Sequence, residues 1–192
     1  MLSDVILTVM ILMKILFYSA VLLIALLCYR NISMAVSTPK IGEQAPNFNL
    51  PDAKGELISL ASFKGNWVVL YFYPKDDTPG CIKEACSFRD DLHKLDKLDA
   101  KVVGISVDDT SSHAKFAEKY HLPFLLLADK DGKVADSYGA LTNLWILKLA
   151  KRYTFLIDAK GNIAKTYQNV DTSRHSQEII DDLIKLSETK TD

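Results

Sequence analysis

Cysteine, glycine and proline are scarce in this chain: 3, 8 and 6 among 192 residues. Three cysteines are too few for the dense disulfide framework that holds small secreted folds together. No glycine-rich phosphate loop occurs, which removes nucleotide chemistry of that kind. The four histidines show no metal-ligand spacing. Asp129-x-Asp131-Gly132 opens like a calcium loop but lacks the later ligands, so it reads as an ordinary turn. A surplus of one charge is missing too: 23 basic against 24 acidic residues leave a net charge of −1. Nothing here attracts a polyanion, and no nucleic-acid partner is expected. No internal repeat is visible.

What the chain does have is apolar residues, 48% of the total, enough for one substantial core. They fall into two unlike parts. Val5 to Cys28 is almost wholly apolar and long enough to cross a bilayer, with only Lys14 interrupting it. Residues 1–37 therefore read as an uncleaved membrane anchor or as a signal peptide. In the second reading Met13-Lys14 is the true start, Ile15 to Cys28 the apolar stretch, and cleavage follows Ala35 or Ser37. Both readings place the remaining domain, 38–192, outside the cytoplasm, exported or membrane-anchored, on the periplasmic or another extracytoplasmic face. Membrane contact is expected if the segment is kept. Leucines at 26 and 27 argue against Cys28 as a lipid-attachment site.

The densest chemical signal is Tyr71-Phe-Tyr-Pro-Lys-Asp-Asp-Thr-Pro-Gly-Cys81-Ile-Lys-Glu-Ala-Cys86. Val68 to Tyr73 is a run of β-formers and aromatics without polar alternation, which predicts a strand buried on both faces. Pro74 ends it, having no N–H to donate. Asp76 to Gly80 are turn and helix-start residues, so a helix opens near Pro79. Cys81 falls in its first turn, where free N–H groups and the helix dipole stabilise an anion. The thiolate is the nucleophilic form of cysteine, and helix N-termini beside a cation favour it. Cys86 is compatible with a small buried hydrophobe or with a redox partner for Cys81. Five residues turn an intact helix by about 500°, so the two side chains diverge. A disulfide between them needs facing Cβ vectors and hence an unwound first turn.

The pattern Pro74-x-x-x-Thr78-x-x-Cys81 resembles the active-site signature of peroxiredoxins. Thr78-Pro-Gly-Cys81-x-x-Glu84-x-Cys86 is similar, more narrowly, to the bacterioferritin comigratory (Q-type) subfamily. Gly42-Glu-x-Ala-Pro46-x-Phe48 resembles the family's opening motif, Lys101 to Asp108 its strand after the catalytic helix, and Arg152 to Asp158 its arginine-bearing strand. The resemblance spans about residues 40–188. It implies a thioredoxin-dependent thiol peroxidase acting on hydrogen peroxide and small organic hydroperoxides, with Cys81 peroxidatic and Cys86 resolving. It further implies that Thr78 offers its hydroxyl, Arg152 holds the thiolate, Pro74 shields the pocket, and Gly80 and Cys81 supply N–H groups. Glu84 is expected only to complement the helix dipole. The implied enzyme is a monomer, needs no metal or flavin, and takes electrons from a thioredoxin-like thiol donor.

Elsewhere, strands are expected at 47–50, 56–60, 67–73, 101–107, 124–128, 152–158 and 162–167. Helices are expected at 81–95, 111–121, 133–138 and 174–186. The resemblance and this alternation give an α/β thioredoxin-like fold, a mixed central sheet covered by helices. Leu141 to Leu149 is expected to be a packed loop or short helix, or an apolar collar near the site. Two other functions share parts of the pattern: a membrane-tethered thioredoxin-like disulfide reductase and a non-enzymatic interaction module. The reductase would use Cys-x-x-Cys, whereas here four residues separate the cysteines.

Overall fold

The computed structural model describes residues 10–23, 38–144 and 147–188. It divides into two compact units, 1–36 and 37–192. In the first, a helix, α1, is described over residues 10–23.

The second unit is built on a five-stranded sheet. Its strands are β3 (Trp67–Phe72), β4 (Ala100–Ser106), β5 (Leu125–Ala128), β8 (Thr154–Ile157) and β9 (Ile163–Tyr167), in the order β5-β4-β3-β8-β9. β3 runs parallel to β4, and β4 to β5, while β8 is antiparallel to β3 and to β9. The mixed sheet arises because long helical crossovers join β3, β4 and β5, whereas a tight turn at Lys160-Gly161 joins β8 and β9. Two small hairpins stand apart: β1 (Asn49–Pro51) with β2 (Leu57–Ser59), and β6 (Leu141–Leu144) with β7 (Leu147–Ala150).

The continuous apolar run of β3 is explained by cover on both sides. Val69, Tyr71 and Tyr73 face a core shared with helices α2 (Pro79–Asp96), α3 (Thr110–Tyr120) and α5 (His175–Glu188). Val68, Leu70 and Phe72 face the other core, with Tyr138, Phe155 and Ile157, beside the short helix α4 (Lys133–Ser137). Each large side chain so buried contributes about 1.5–3 kcal/mol. Gly104 of β4 pairs in register with Tyr71, and a Cβ there would sit 2.7 Å from the tyrosine ring. The glycine makes room for the ring.

Phe88 of α2 packs against Tyr71 below it and His175 of α5 beside it, with centroids at 5.0 and 5.7 Å. Polar contacts add to this: Ser87 Oγ lies 2.5 Å from Ser176 Oγ, which donates to Asp91 Oδ2 at 2.6 Å. α3 begins at Asp109, whose carboxylate accepts from Ser112 N at 2.9 Å, and ends at His121 in the left-handed conformation.

The α/β mixed sheet agrees with the expectation, and the elements fall close to the expected ranges. The 141–149 segment differs. It forms the β6–β7 hairpin, with Thr142 opposite Leu149 and Asn143 opposite Lys148. Polar and apolar residues alternate with period two along Leu147-Lys148-Leu149, a strand pattern that its high apolar content obscures.

The exported or membrane-anchored placement is corrected. Among the described residues no helix is long and apolar enough to cross a membrane. Val5 to Val9, Cys28 and the cleavage positions Ala35 and Ser37 lie outside the described residues.

Candidate active site

β3 delivers the chain to the site, and the loop after it is held by a buried polar network. Tyr73 donates its hydroxyl to Asp76 Oδ1 at 2.8 Å. Asp76 Oδ2 takes Ser112 Oγ at 2.7 Å and faces His113 Nδ1 at 2.9 Å. Asp76 N donates to Asp108 Oδ2 at 2.8 Å, and Ser106 Oγ to the same oxygen at 2.7 Å. The loop between Pro74 and Thr78 is thereby fastened to α3 and to the end of β4. Asp77 takes φ 56°, the left-handed turn that swings the chain into α2. Its exposed carboxylate, bound by Lys119 and Tyr120, is lowered below the usual range by those hydrogen bonds.

Thr78 occupies the N-cap position of α2, with Pro79 as the first helical residue. Its side chain makes no capping bond; the hydroxyl donates instead to Lys75 O at 3.1 Å. The first helical bond runs from Ile82 N to Thr78 O at 2.9 Å, so the N–H groups of Gly80 and Cys81 lie ahead of the ladder. Cys81 is buried, and Arg152, arriving from the start of β8, donates from Nη2 to its sulfur at 3.3 Å. The guanidinium lies over Gly80: a Cβ there would meet Nη2 at 3.2 Å. Pro74 is half-buried.

The same arginine uses Nη1 to bind Glu84 Oε2. Glu84 is fully buried, and its Oε1 has no hydrogen-bond partner. Burial pushes its pKa up to about 7, against the pull of the Arg152 charge. The expectation of a dipole residue alone is therefore incomplete: Glu84 is a buried partner of Arg152. The signal for it in the sequence was its spacing, three residues past Cys81 on the same helical face.

Cys86 is half-buried and free, as is Cys81, and both belong to the one continuous helix Pro79–Asp96. A shallow groove of 400 Å³ lies beside Cys86, lined by Lys83, Asp90, Asp91 and Ser173 among others. An open groove of 540 Å³ lies beside Arg152, lined also by Lys151, Tyr153 and Asn169. A further hollow, with Gln44, Asn47, Phe63 and Lys64 in its wall, touches Val68 at the opposite end of β3 and holds none of this chemistry. Of the sequence-derived set, the structure joins Cys81 and Arg152 directly. It places Thr78 at the head of the same helix without a contact to the sulfur. The network of Tyr73, Asp76, Ser112 and His113 was missed, because its members are scattered over forty positions and only folding brings them together.

Comparison with known proteins agrees with this arrangement. The AhpC/TSA family pattern matches residues 41–166. Peroxiredoxin Bcp of Bacillus subtilis is 42% identical over 159 residues, covering 79% of this chain and 99% of that protein. The chloroplastic peroxiredoxin Q of Triticum aestivum is 49% identical over 128 residues, covering 67% of this chain and 58% of that protein. The crystal structure of peroxidoxin BcpB from Mycobacterium tuberculosis superimposes with a TM-score of 0.73 at 35% identity, over 77% of this chain and 97% of that one. These likenesses favour the peroxide reading over the disulfide-reductase alternative. Motif, fold and likeness converge: the chain belongs to the AhpC/TSA family, among its peroxiredoxins of the Bcp and Q kind.

Proposed function

We propose that the protein is a thiol peroxidase in which Cys81 attacks hydrogen peroxide or a small organic hydroperoxide and Cys86 resolves the product. The observation that carries this reading is the donation from Arg152 Nη2 to the buried Cys81 sulfur at 3.3 Å, at the start of α2. A positive guanidinium and a helix N-terminus on one sulfur favour its thiolate.

The thiolate sulfur bonds to one peroxide oxygen as the O–O bond breaks. The departing alkoxide or hydroxide takes a proton and leaves as alcohol or water, and Cys81 becomes a sulfenic acid. Arg152 and the N–H groups of Gly80 and Cys81 face the charge that builds on the oxygens. Thr78 turns its hydroxyl from Lys75 towards the peroxide, and Pro74 limits water at the sulfur. The Cys86 thiol then attacks the sulfenic sulfur, an S–S bond forms, and water departs. A thioredoxin-like dithiol returns the enzyme to its reduced state and is itself oxidised. The domain that carries this chemistry is residues 38–192. We read it as a monomer, as the resemblance to the Q-type peroxiredoxins implies.

Peroxide consumption coupled to a thioredoxin system tests the roles. Cys81→Ser is expected to abolish turnover. Cys86→Ser is expected to accept one oxidation and to accumulate a sulfenic acid that a dimedone-type reagent traps. Undiminished turnover in Cys81→Ser would remove the assignment.

A further inference from the structure

We propose that Glu84 is a positioning residue that couples a proton to the unwinding of α2, holding the helix closed when it is protonated and releasing it when it ionises. This rests on the intramolecular disulfide proposed above, and it follows from where Glu84 sits.

Glu84 lies between the two cysteines in sequence, so the turn that must unwind to join them is the turn that carries it. In the wound helix its carboxyl is fully buried and shares the Arg152 guanidinium with the Cys81 sulfur. One oxygen is engaged and the other has no partner. A carboxylate with an unsatisfied buried oxygen is poorly solvated, whereas a neutral carboxyl is much less penalised. The groups that face it compound this. Tyr71 on β3 is buried with an unpartnered hydroxyl, held neutral by burial and then by the negative charge of Glu84. The Cys81 sulfur on α2 competes for the same arginine. His175 on α5 has its pKa lowered by burial, against the pull of Glu178, and the weaker effect of the Arg152 charge acts with burial. Asp76 in the preceding loop adds another carboxyl, though Tyr73, Ser112 and His113 engage it. Among the described residues Arg152 is the one cation bonded to Glu84, and it is shared.

Unwinding moves Glu84 into water, where a glutamate titrates near 4.3. In the wound helix burial raises it to about 7. The wound form therefore binds the proton more tightly. Its advantage is complete below ~4.3 and is lost as pH rises from there to about 7, so raising pH favours the unwound form. The covalent step stays as written above: sulfenic acid and thiol give disulfide and water. Glu84 adds a proton released to solvent as the helix opens.

The test uses the full chain, mixed rapidly with one equivalent of hydrogen peroxide. Disulfide formation is followed by acid quench, alkylation and mass spectrometry from about pH 5 to about pH 8, for the unsubstituted protein and for Glu84→Gln. Any pH dependence common to both proteins cancels in the quotient of their rates. The quotient of unsubstituted over Glu84→Gln rates is expected to rise about tenfold or more across that range. A flat quotient overturns the proposal. Failure of any Cys81–Cys86 bond to form, at any pH, overturns both the proposal and the resolving role of Cys86. Should Glu84→Gln fail to fold, glutamate-labelled Cys86→Ser protein is titrated by carbon NMR. One glutamate carboxyl titrating near 7 supports the latch, and none above about 5 overturns it.

Discussion

Asp76 Oδ2 and the Nδ1 of buried His113 stand 2.9 Å apart, 37 residues distant in sequence, and this pair fastens the active-site loop to α3. Tyr73 and Ser112 complete the arrangement on the same carboxylate. The loop carries Pro74 and Thr78, so its position sets where the helix begins and where Cys81 points. His113 is fully buried, and its Nε2 has no partner, so one ring nitrogen carries the whole connection.

His113→Phe removes that connection while retaining an aromatic ring. It leaves Asp76 with one fewer partner in a buried setting, at a cost of about 1–3 kcal/mol. The urea midpoint is expected to fall accordingly with an unchanged slope. Peroxide attack is expected to slow as well, because the loop is freer. An unchanged midpoint would show that the pair does not bear on stability.

Gly80→Ala separates fold from chemistry. The new Cβ would stand 3.2 Å from Arg152 Nη2 and touch no backbone, so the guanidinium must shift by a few tenths of an ångström. Misplacement of a positioned group on that scale lowers the peroxide rate by roughly tenfold, with the urea midpoint nearly unchanged. Stopped-flow peroxide kinetics and a denaturation curve on one preparation read both outcomes.

Arg152→Met removes the donor to Cys81 and leaves Glu84 buried without a counter-charge. The rate of peroxide attack is expected to fall by about a hundredfold, the usual scale for one lost electrostatic donor. Stability acquires a pH slope of known sign. Arg152 opposes the burial that raises Glu84, so its loss raises Glu84 further above the unfolded value of ~4.3. The variant should be relatively most stable at acid pH and should weaken, more than the unsubstituted protein does, as pH rises through and beyond neutrality. Urea midpoints measured across that range decide it, and parallel curves would show that Arg152 does not hold Glu84 in solution.

The reach of the sequence is clearest at α2. Thr78, Pro79, Gly80 and Cys81 announced a helix start and a thiol within it, because caps, prolines and glycines act over a few neighbouring residues. The burial on both faces of β3 was legible for the same reason: a continuous apolar run carries its own meaning. Glu84 was not legible as a buried group. A glutamate on a helix is ordinarily solvated, and here it is buried against Arg152, which lies 68 residues away just before β8. The His113 network and the β6–β7 hairpin were hidden similarly, one by long-range assembly and the other by a strand alternation submerged in leucines. The membrane-anchored placement rested on apolar length alone, and among the described residues no helix is long and apolar enough to cross a membrane.

The last prediction concerns how far α2 opens. Cys81 and Cys86 diverge on an intact helix, so a bond between them requires the turns that join them to unwind. Ser87 sets the limit. Its hydroxyl lies 2.5 Å from Ser176, which also binds Asp91, and Phe88 is sealed between Tyr71 and His175. These contacts tie α2 to α5 one residue beyond Cys86, and breaking them would expose a fully buried aromatic at about 1.5–3 kcal/mol. Unwinding should therefore stop at Ser87. Hydrogen exchange is expected to show amides 82–86 protected in the dithiol state and exposed in the disulfide. Amides of about 92–95, and those of Trp67–Phe72 in β3, should stay protected in both. Replacing Ser176 by alanine loosens the tie, and the exposed stretch in the disulfide should then extend past about residue 90, beyond the four amides that lose their partners when the helix opens to residue 86. Protection that ends at the same residue in both proteins would mean that the packing of Phe88 alone sets the boundary. Equal protection of 82–86 before and after oxidation would mean that no bond forms within the helix and that resolution comes from an outside thiol.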